Sequence, residues 1–237
     1  MGAIAKALQD VRRRIATAAS AARRAPDSVH LLAVSKTFPA SAVIEAHAAG
    51  QTAFGESYVQ EALEKIAEVQ ALLGAADSLE WHFIGPIQSN KTRPIAERFA
   101  WVHSVDRLKI AERLAAARPA GRPALNVCIQ VNIGDEASKG GVAPAGAIDL
   151  AQRVAALPGL KLRGLMTIPR PCDDLAEQRA QFRQLRELFD RARAAGLALD
   201  NLSMGMSDDL EAAIMEGATL VRVGSAIFGA RKTKETT

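Results

Sequence analysis

A lysine ends an apolar run near the beginning of the chain, in "LLAVSKTFPA" at residues 31–40. The run from Leu31 to Val34 is typical of a buried strand, so Lys36 lies at or just beyond the carboxyl end of that strand. A lysine amine held there can attack an aldehyde and form a Schiff base. The alternative is a strand whose last side chain simply extends into solvent. Lys36 is therefore a candidate nucleophile whose role depends on its neighbours.

Small residues that could hold an anion follow the last two predicted strands, in "SMGMSDDLEAAI" and "VGSAIFG". Ser207 is a candidate N-cap of the next helix, and Gly224 allows close approach to the backbone beside the Ser225 hydroxyl. Loops after strands seven and eight of strand–helix barrels recurrently bind phosphate through backbone N–H groups. We predict such a site here. Asp208 and Asp209 count against it unless they point away.

Arg222 stands just before the second of these loops, in "LVRVGSAIFG". Side chains alternate between the faces of a strand, and Val221 and Val223 suit an outward aliphatic face. Arg222 is therefore predicted to point inward, where a guanidinium is costly without a partner. It could pair with a carboxylate or donate to a pyridine nitrogen. A lysine facing a phosphate site fits a sugar phosphate, as in lysine aldolases, or pyridoxal 5′-phosphate (PLP), and an arginine at a ring nitrogen favours PLP.

Alternating strand and helix patterns must bring these residues together. Short β-rich apolar runs predict eight strands, at 31–36, 52–56, 80–85, 101–106, 125–133, 162–168, 202–206 and 220–228. Helical patterns lie between them, near 40–49, 58–74, 89–99, 107–118, 144–156, 174–195 and 208–216. Eight parallel βαβ units imply a closed barrel, whereas an open doubly wound sheet would normally show a Gly-rich turn after its first strand. "SKTFPAS" contains no glycine.

We therefore predict an α/β fold, a single (β/α)8 TIM-type barrel domain over residues 1–237. An extra N-terminal helix is predicted because Ile4, Leu8, Val11 and Ile15 recur at helical spacing. No linker or change of composition divides the chain.

The carboxyl ends of the predicted strands carry the polar and small residues, which is where active sites of this fold lie. Besides Lys36 and the loops that follow strands seven and eight, Ser57, Asn132 and Met166 end predicted strands two, five and six. We predict these three as further ligand contacts. His82 and His103 lie within predicted strands three and four, and we interpret both as hydrogen-bonded core residues.

Composition narrows the class of protein. The formal charge is only +4 and aromatic residues make up 4% of the chain, which argues against a nucleic-acid binder and suits a small anionic ligand. The two cysteines, Cys128 and Cys172, form neither a disulfide framework nor a metal-binding spacing. The sequence shows no membrane span and no secretory signal, so we expect a cytoplasmic protein without a metal.

Several segments, in order and over residues 31–231, closely resemble the pyridoxal-phosphate homeostasis proteins: "LLAVSKTFP", "FGESYVQEALEK", "WHFIGPIQSNK", "VHSVDR", "IQVNIGDEASKGGV", "LRGLMTIP", "LSMGMSDDLEAAI" and "VRVGSAIFGAR". The resemblance implies a single, usually monomeric barrel like the N-terminal domain of alanine racemase. It implies that Lys36 holds PLP as an internal aldimine. It also implies phosphate contacts from Ser207, Gly224 and Ser225, with Arg222 near the pyridine nitrogen.

The chain departs from the family pattern at three places. Ser57 stands in "FGES" where the family usually has asparagine, which weakens any contact assigned to this position. Pro86 in "GPIQ" replaces a common histidine and has no N–H group. "SKGG" replaces "SKSG" and leaves Lys139, a possible second anion contact, unchanged.

Three functions compete. The first is a protein that binds PLP and delivers it to apo-enzymes without turnover. The second is a PLP-dependent racemase, which needs an acid or base on the face opposite the lysine; alanine racemases take a tyrosine from a second domain, and the only tyrosine here is Tyr58. The third, a sugar-phosphate aldolase, is disfavoured by Arg222 and by the resemblance. We favour the carrier.

Overall fold

The computed structural model describes residues 2–74, 79–134 and 140–230. In these residues eight parallel strands close into a barrel in chain order, with the first strand paired to the last. The strands are β1 (His30–Val34), β2 (Ala53–Glu56), β3 (Glu80–Phe83), β4 (Trp101–Val105), β5 (Leu125–Gln130), β6 (Leu160–Met166), β7 (Asn201–Ser203) and β8 (Leu220–Val223). The predicted (β/α)8 TIM-type barrel is confirmed.

Helices follow every strand in the described part of the chain, and one precedes β1. They are α1 (Ala3–Ala21), α2 (Ala40–Ala48), α3 (Val59–Leu73), α4 (Thr92–Arg98), α5 (Leu108–Ala117), α6 (Ala147–Ala155), α7 (Leu175–Ala194), α8 (Leu210–Met215) and α9 (Ser225–Phe228). α1 is the extra helix. Its residues Leu8, Val11 and Ile15 are buried, and it packs against α2, α8 and α9.

The predicted end of the eighth strand, at residue 228, was wrong. β8 ends at Val223, and residues 225–228 form one helical turn. The N–H groups of Ile227 and Phe228 donate to the carbonyl of Gly224, at 2.9 Å each. A short apolar run fits a buried strand and a buried helical turn equally well, so the pattern could not separate them.

The main core lies between the strands and the helices. Val127, Ile129, Val221 and Val223 belong to it, which confirms the predicted outward parity of β5 and β8. Side chains of the opposite parity fill the barrel interior, where Trp101, Cys128 and Met166 form a separate buried cluster. Buried polar groups share this interior: His82, His103, Ser203 and Arg222.

No helix within the described ranges is long and apolar enough to cross a membrane. The same residues contain no group of three or more His, Cys, Asp and Glu side chains that could hold a metal ion. The prediction of one domain over the full 1–237 stays a prediction, because its last residues lie outside the described ranges.

Candidate functional site

A cavity of about 290 Å³ opens at the carboxyl ends of the strands. Six of the eight predicted site residues line it: Lys36, Ser57, Ser207, Arg222, Gly224 and Ser225. A larger cavity, of about 620 Å³, lies at the opposite pole around the strand starts. Size alone would favour the larger one, but the candidate lysine, arginine and serines converge on the smaller one, at the pole where sites of this fold occur.

Lys36 lies in a tight turn after β1. The N–H group of Phe38 donates to the Ser35 carbonyl at 3.1 Å, and Thr37 adopts a left-handed φ of 69°. A β-branched residue rarely adopts that conformation, so the surroundings must hold it there. The N–H group of Thr37 donates to Glu61 Oε1 at 2.6 Å. An α3 carboxylate therefore fixes the backbone that carries Lys36.

A buried ionic cluster secures the same turn from behind. Lys65 Nζ donates to Glu56 Oε1 at 2.7 Å, to Glu61 Oε1 at 2.9 Å and to the Ser35 carbonyl at 2.8 Å. The Ser35 hydroxyl also donates to Glu56 Oε1, at 2.7 Å. Burial raises the pKa of the Glu56 carboxyl despite the neighbouring Lys65 ammonium. Lys65 is thus the counter-charge that allows Glu56 to lie fully buried at the end of β2.

The loops after β7 and β8 are joined through serine hydroxyls. Ser225 Oγ donates to Ser207 Oγ at 2.9 Å, and the Ala226 N–H group donates to Ser207 Oγ at 3.3 Å. From α1, Arg14 donates to the Ser207 carbonyl at 2.9 Å and to Glu211 at 2.7 Å. The extra N-terminal helix therefore holds the loop predicted to bind phosphate.

Ser207 is not a helix cap, contrary to the prediction. α8 begins at Leu210, and its N-cap residue is Asp209. Asp209 turns its carboxylate to the Met206 N–H group, 2.5 Å away, and burial raises its pKa. Asp208 is exposed and lines the cavity. Of the two acidic residues, only Asp208 lines the cavity beside the predicted phosphate position.

Close backbone packing explains two glycines at the mouth. A Cβ on Gly224 would lie 3.2 Å from the Val34 carbonyl oxygen, so β8 leaves the barrel tight against β1. A Cβ on Gly85 would lie 2.2 Å from the Ser57 carbonyl oxygen. A side chain at Gly85 would force the backbone at Ser57 to shift, whereas one at Gly224 would require the Val34 carbonyl to give by a few tenths of an ångström.

Arg222 is buried with 4% of its surface exposed, and it points inward as predicted. Its guanidinium donates to Ser203 Oγ at 2.9 Å, to the Ser203 carbonyl at 2.7 Å and to the Thr167 carbonyl at 2.8 Å. Desolvation lowers the pKa of Arg222 to about 10, so it remains a cation at neutral pH. The expected alternative, a direct carboxylate partner, is replaced by neutral oxygen acceptors from β7 and from the end of β6.

The remaining predicted residues lie apart from the cavity lining. Met166 is fully buried in the interior cluster with Trp101 and Cys128. Asn132 lies after β5, and its N–H group donates to the Val142 carbonyl at 3.0 Å. Direct ligand contacts from Met166 and Asn132 stay predictions. Lys139 lies outside the described residues.

Sequence reasoning missed the residues that support the site, namely Lys65, Glu61 and Arg14. Lys65 could have been noticed, because it falls on the buried face of α3 with Ala62 and Ile66. A charge on an apolar helix face needs a buried partner. The sequence offered no comparable signal for Arg14, which lies in a run of three arginines.

Comparison with known proteins places the chain in a family. Residues 7–232 match the model of the alanine racemase N-terminal domain. The pyridoxal phosphate homeostasis protein of Pseudomonas aeruginosa is 62% identical over 231 residues, which is 98% of this chain and 97% of that protein.

Several solved structures are also similar to this chain. PipY of Synechococcus elongatus with PLP bound has a TM-score of 0.81 and 39% identity, covering 95% of this chain and 100% of PipY. Its form without PLP has a TM-score of 0.83. Alanine racemase from Corynebacterium glutamicum shares the fold, with a TM-score of 0.69 at 20% identity, but this chain covers only 62% of it.

Lys65→Met tests the buried cluster. We expect the free energy of unfolding to fall by about 3–5 kcal/mol near pH 7, because Glu56 would keep a buried charge without its partner. Lys109→Met, on the exposed surface of α5, should change it by less than about 0.5 kcal/mol. Urea denaturation measures both.

The pH dependence of the Lys65→Met deficit gives a second readout. Glu56 has a pKa above its ordinary value of 4.5 in the folded chain, and losing Lys65 raises it further. The folded variant therefore takes up a proton before the unfolded one as the pH falls, and the deficit should shrink on acidification toward that value. A deficit that is independent of pH would contradict the assignment of the buried charge to Glu56.

Proposed function

The chain belongs to the pyridoxal phosphate homeostasis protein family, and on that premise we propose that it binds PLP in the cavity at the carboxyl ends of the strands and serves vitamin B6 homeostasis. The observation that carries the proposal is the convergence of Lys36, Arg222, Ser207 and Ser225 on one cavity. These groups come from β1, β7 and β8 or their loops, and they match the aldehyde, the ring nitrogen and the phosphate of one small molecule.

Lys36 is the proposed covalent anchor. Its amine would attack the aldehyde carbon of PLP, and loss of water would leave a Schiff base through Nζ. Bound in this way, PLP can act as an electron sink for bonds at an attached amino acid. The turn locked by Thr37, Glu61 and the Lys65 cluster supports this role, because it fixes the direction in which Lys36 leaves β1.

The serine loops would hold the phosphate. The hydroxyls of Ser207 and Ser225 are hydrogen-bonded to each other and line the cavity, and both can redirect a proton toward an anion. Gly224 lets the β8 end lie close to β1 without a side chain in between. Asp208 is exposed, so solvent screens its charge from the phosphate.

Arg222 would face the ring nitrogen. Only donors are available on a guanidinium, so the pyridine nitrogen would have to remain an unprotonated acceptor. A ring with an uncharged nitrogen stabilises a carbanion poorly, which suits retention of the cofactor better than turnover.

The lining of the cavity also supports a carrier over a racemase. Its titratable groups in the described residues are Lys36, Arg222 and Asp208. Asp208 adjoins Ser207 at the phosphate end. Tyr58, the only tyrosine, is 54% exposed at the start of α3 and does not line the cavity. We therefore propose a non-enzymatic, monomeric, cytoplasmic barrel that transfers PLP transiently to apo-enzymes.

Lys36→Ala tests the covalent anchor. We expect the wild-type protein to develop the visible absorbance of a lysine Schiff base on adding PLP, and borohydride reduction to leave the cofactor attached to Lys36 by mass spectrometry. Lys36→Ala should lose both signals, because no other amine is predicted to reach the aldehyde. Lys109→Ala should keep both. The same adduct in Lys36→Ala would contradict the assignment.

Ser207→Ala and Ser225→Ala test the phosphate end. Each should raise the Kd of PLP about tenfold, since a hydrogen bond to a charged group contributes about 1.5–3 kcal/mol. The Kd of pyridoxal, which lacks the phosphate, should stay unchanged in both variants. Ser41→Ala, at an exposed position of α2, is the matched control and should bind both ligands normally. Equal weakening of both ligands would place the serines elsewhere.

Transfer and turnover distinguish the carrier from the racemase. An apo-enzyme mixed with the PLP-loaded protein should regain activity even with a PLP-trapping scavenger present, whereas free PLP should then fail. The loaded protein should not racemise amino acids over many turnovers. Sustained racemisation that Lys36→Ala abolishes would overturn the carrier in favour of the enzyme.

A further inference from the structure

A continuous chain of hydrogen bonds crosses the barrel interior from Arg222 to Glu80. Arg222 donates to Ser203 Oγ at 2.9 Å, and Ser203 Oγ lies 2.7 Å from His103 Nδ1. His103 Nε2 lies 2.9 Å from His82 Nδ1, and His82 Nε2 lies 2.8 Å from Glu80 Oε1. The chain links β8, β7, β4 and β3, and it joins one pole of the barrel to the other.

Chemistry fixes the direction of every hydrogen bond in this chain. The direction follows from the Glu80 end, because a carboxylate only accepts, so His82 carries its proton on Nε2 and donates it to Glu80. A neutral His82 then accepts at Nδ1 from His103 Nε2–H, and a neutral His103 accepts at Nδ1 from the Ser203 hydroxyl. Ser203 Oγ accepts in turn from Arg222, which can only donate. Both rings are then Nε2–H tautomers, placed between a cation and an anion.

Burial agrees with neutral rings. His82 and His103 are 2% and 0% exposed, and desolvation lowers the pKa of each below 6.5. The hydrogen bond from His82 lowers the pKa of Glu80, which keeps that carboxylate charged. Glu80 is half-exposed in the larger cavity at the strand starts, where Arg163 and Trp101 also lie.

The cost of this arrangement calls for a reason beyond filling space. Interiors of such barrels are usually packed with branched aliphatic side chains, and a buried polar chain is tolerated only when each member is satisfied. Its functional end is Arg222, whose guanidinium donates no hydrogen bond to a carboxylate in the described residues. Three of its five N–H groups are directed to Ser203 and Thr167, which orients the guanidinium plane.

We propose that Ser203 and His103 are positioning residues for Arg222, and that the chain ending at Glu80 holds the guanidinium so that its remaining donors face the ring nitrogen of PLP. This inference rests on the proposed function for its ligand. The donor-to-acceptor direction of these hydrogen bonds is a property of the cofactor-free protein, so it can be tested without PLP.

Nitrogen-15 NMR of the cofactor-free protein tests the direction of the hydrogen bonds between Arg222 and Glu80. We expect His82 and His103 to appear as neutral Nε2–H tautomers at pH 7. An Nδ1–H tautomer or an imidazolium at either residue would overturn the inference. This result does not depend on PLP binding, so it stands apart from the proposed function.

Ser203→Ala tests the effect on Arg222, with PLP compared with its 1-deaza analogue, which has carbon in place of the ring nitrogen. The wild-type protein should prefer PLP about tenfold, because only PLP accepts the Arg222 hydrogen bond. Ser203→Ala should lose most of this preference by weakening PLP alone. Cys128→Ala, which removes a similar volume from the same interior, should keep it.

The outcomes separate the two proposals. Failure of the wild-type protein to form the Lys36 Schiff base would defeat the proposed function. A normal Schiff base with an unchanged preference in Ser203→Ala would defeat the positioning role. Urea denaturation of Ser203→Ala and Cys128→Ala checks that both are folded, and His103→Gln should repeat the loss of preference if Ser203→Ala does not fold.

Discussion

Pairing between the first and last strands is the constraint on which the site depends. β1 and β8 pair in parallel, with Leu32 opposite Arg222 and Ala33 opposite Val223. This closure brings the turn after β1 and the loop after β8, which are far apart in sequence, to the same rim of the barrel. The lysine, the arginine and the serines acquire a common cavity only through it. Because Gly224 has no Cβ, the end of β8 can pack closely against Val34 of β1.

Two buried polar networks flank that cavity, and each fixes one nitrogen-bearing side chain. Behind the mouth, Lys65 neutralises Glu56 and holds the turn of Lys36. Through the interior, neutral histidines and Ser203 join Arg222 to Glu80. Burying a charge carries a desolvation penalty that burying an apolar side chain does not. Removing one partner leaves the other charge buried without compensation, which destabilises the fold. A buried polar network whose members are all hydrogen-bonded rigidifies its surroundings. The two networks therefore orient the turn that carries Lys36 and the guanidinium of Arg222.

The groups that line the cavity are the basis of the proposal that this site holds a cofactor. The groups around the cavity can anchor an aldehyde, an anion and a ring nitrogen, which are three separate points on one molecule. In the proposed complex a donor at the ring nitrogen would keep the ring a weak electron sink. The titratable residues of the described lining are Lys36, Arg222 and Asp208. These features support the proposed carrier over the proposed alternative, the racemase.

The sequence by itself determined the barrel, the family resemblance and the convergence of Lys36, Arg222, Gly224 and the serines, because strand periodicity and strand ends are local signals. It placed the ends of elements less well: residues 225–228 form a helical turn, and Ser207 bonds to Ser225 instead of capping α8. Only the tertiary structure revealed the roles of Lys65, Arg14 and the chain from Arg222 to Glu80. Several of those partners are distant in sequence, such as Arg14 and Ser207 or His103 and Ser203. Hydrogen bonds between distant residues leave no periodic pattern, since they exist only once the barrel has closed.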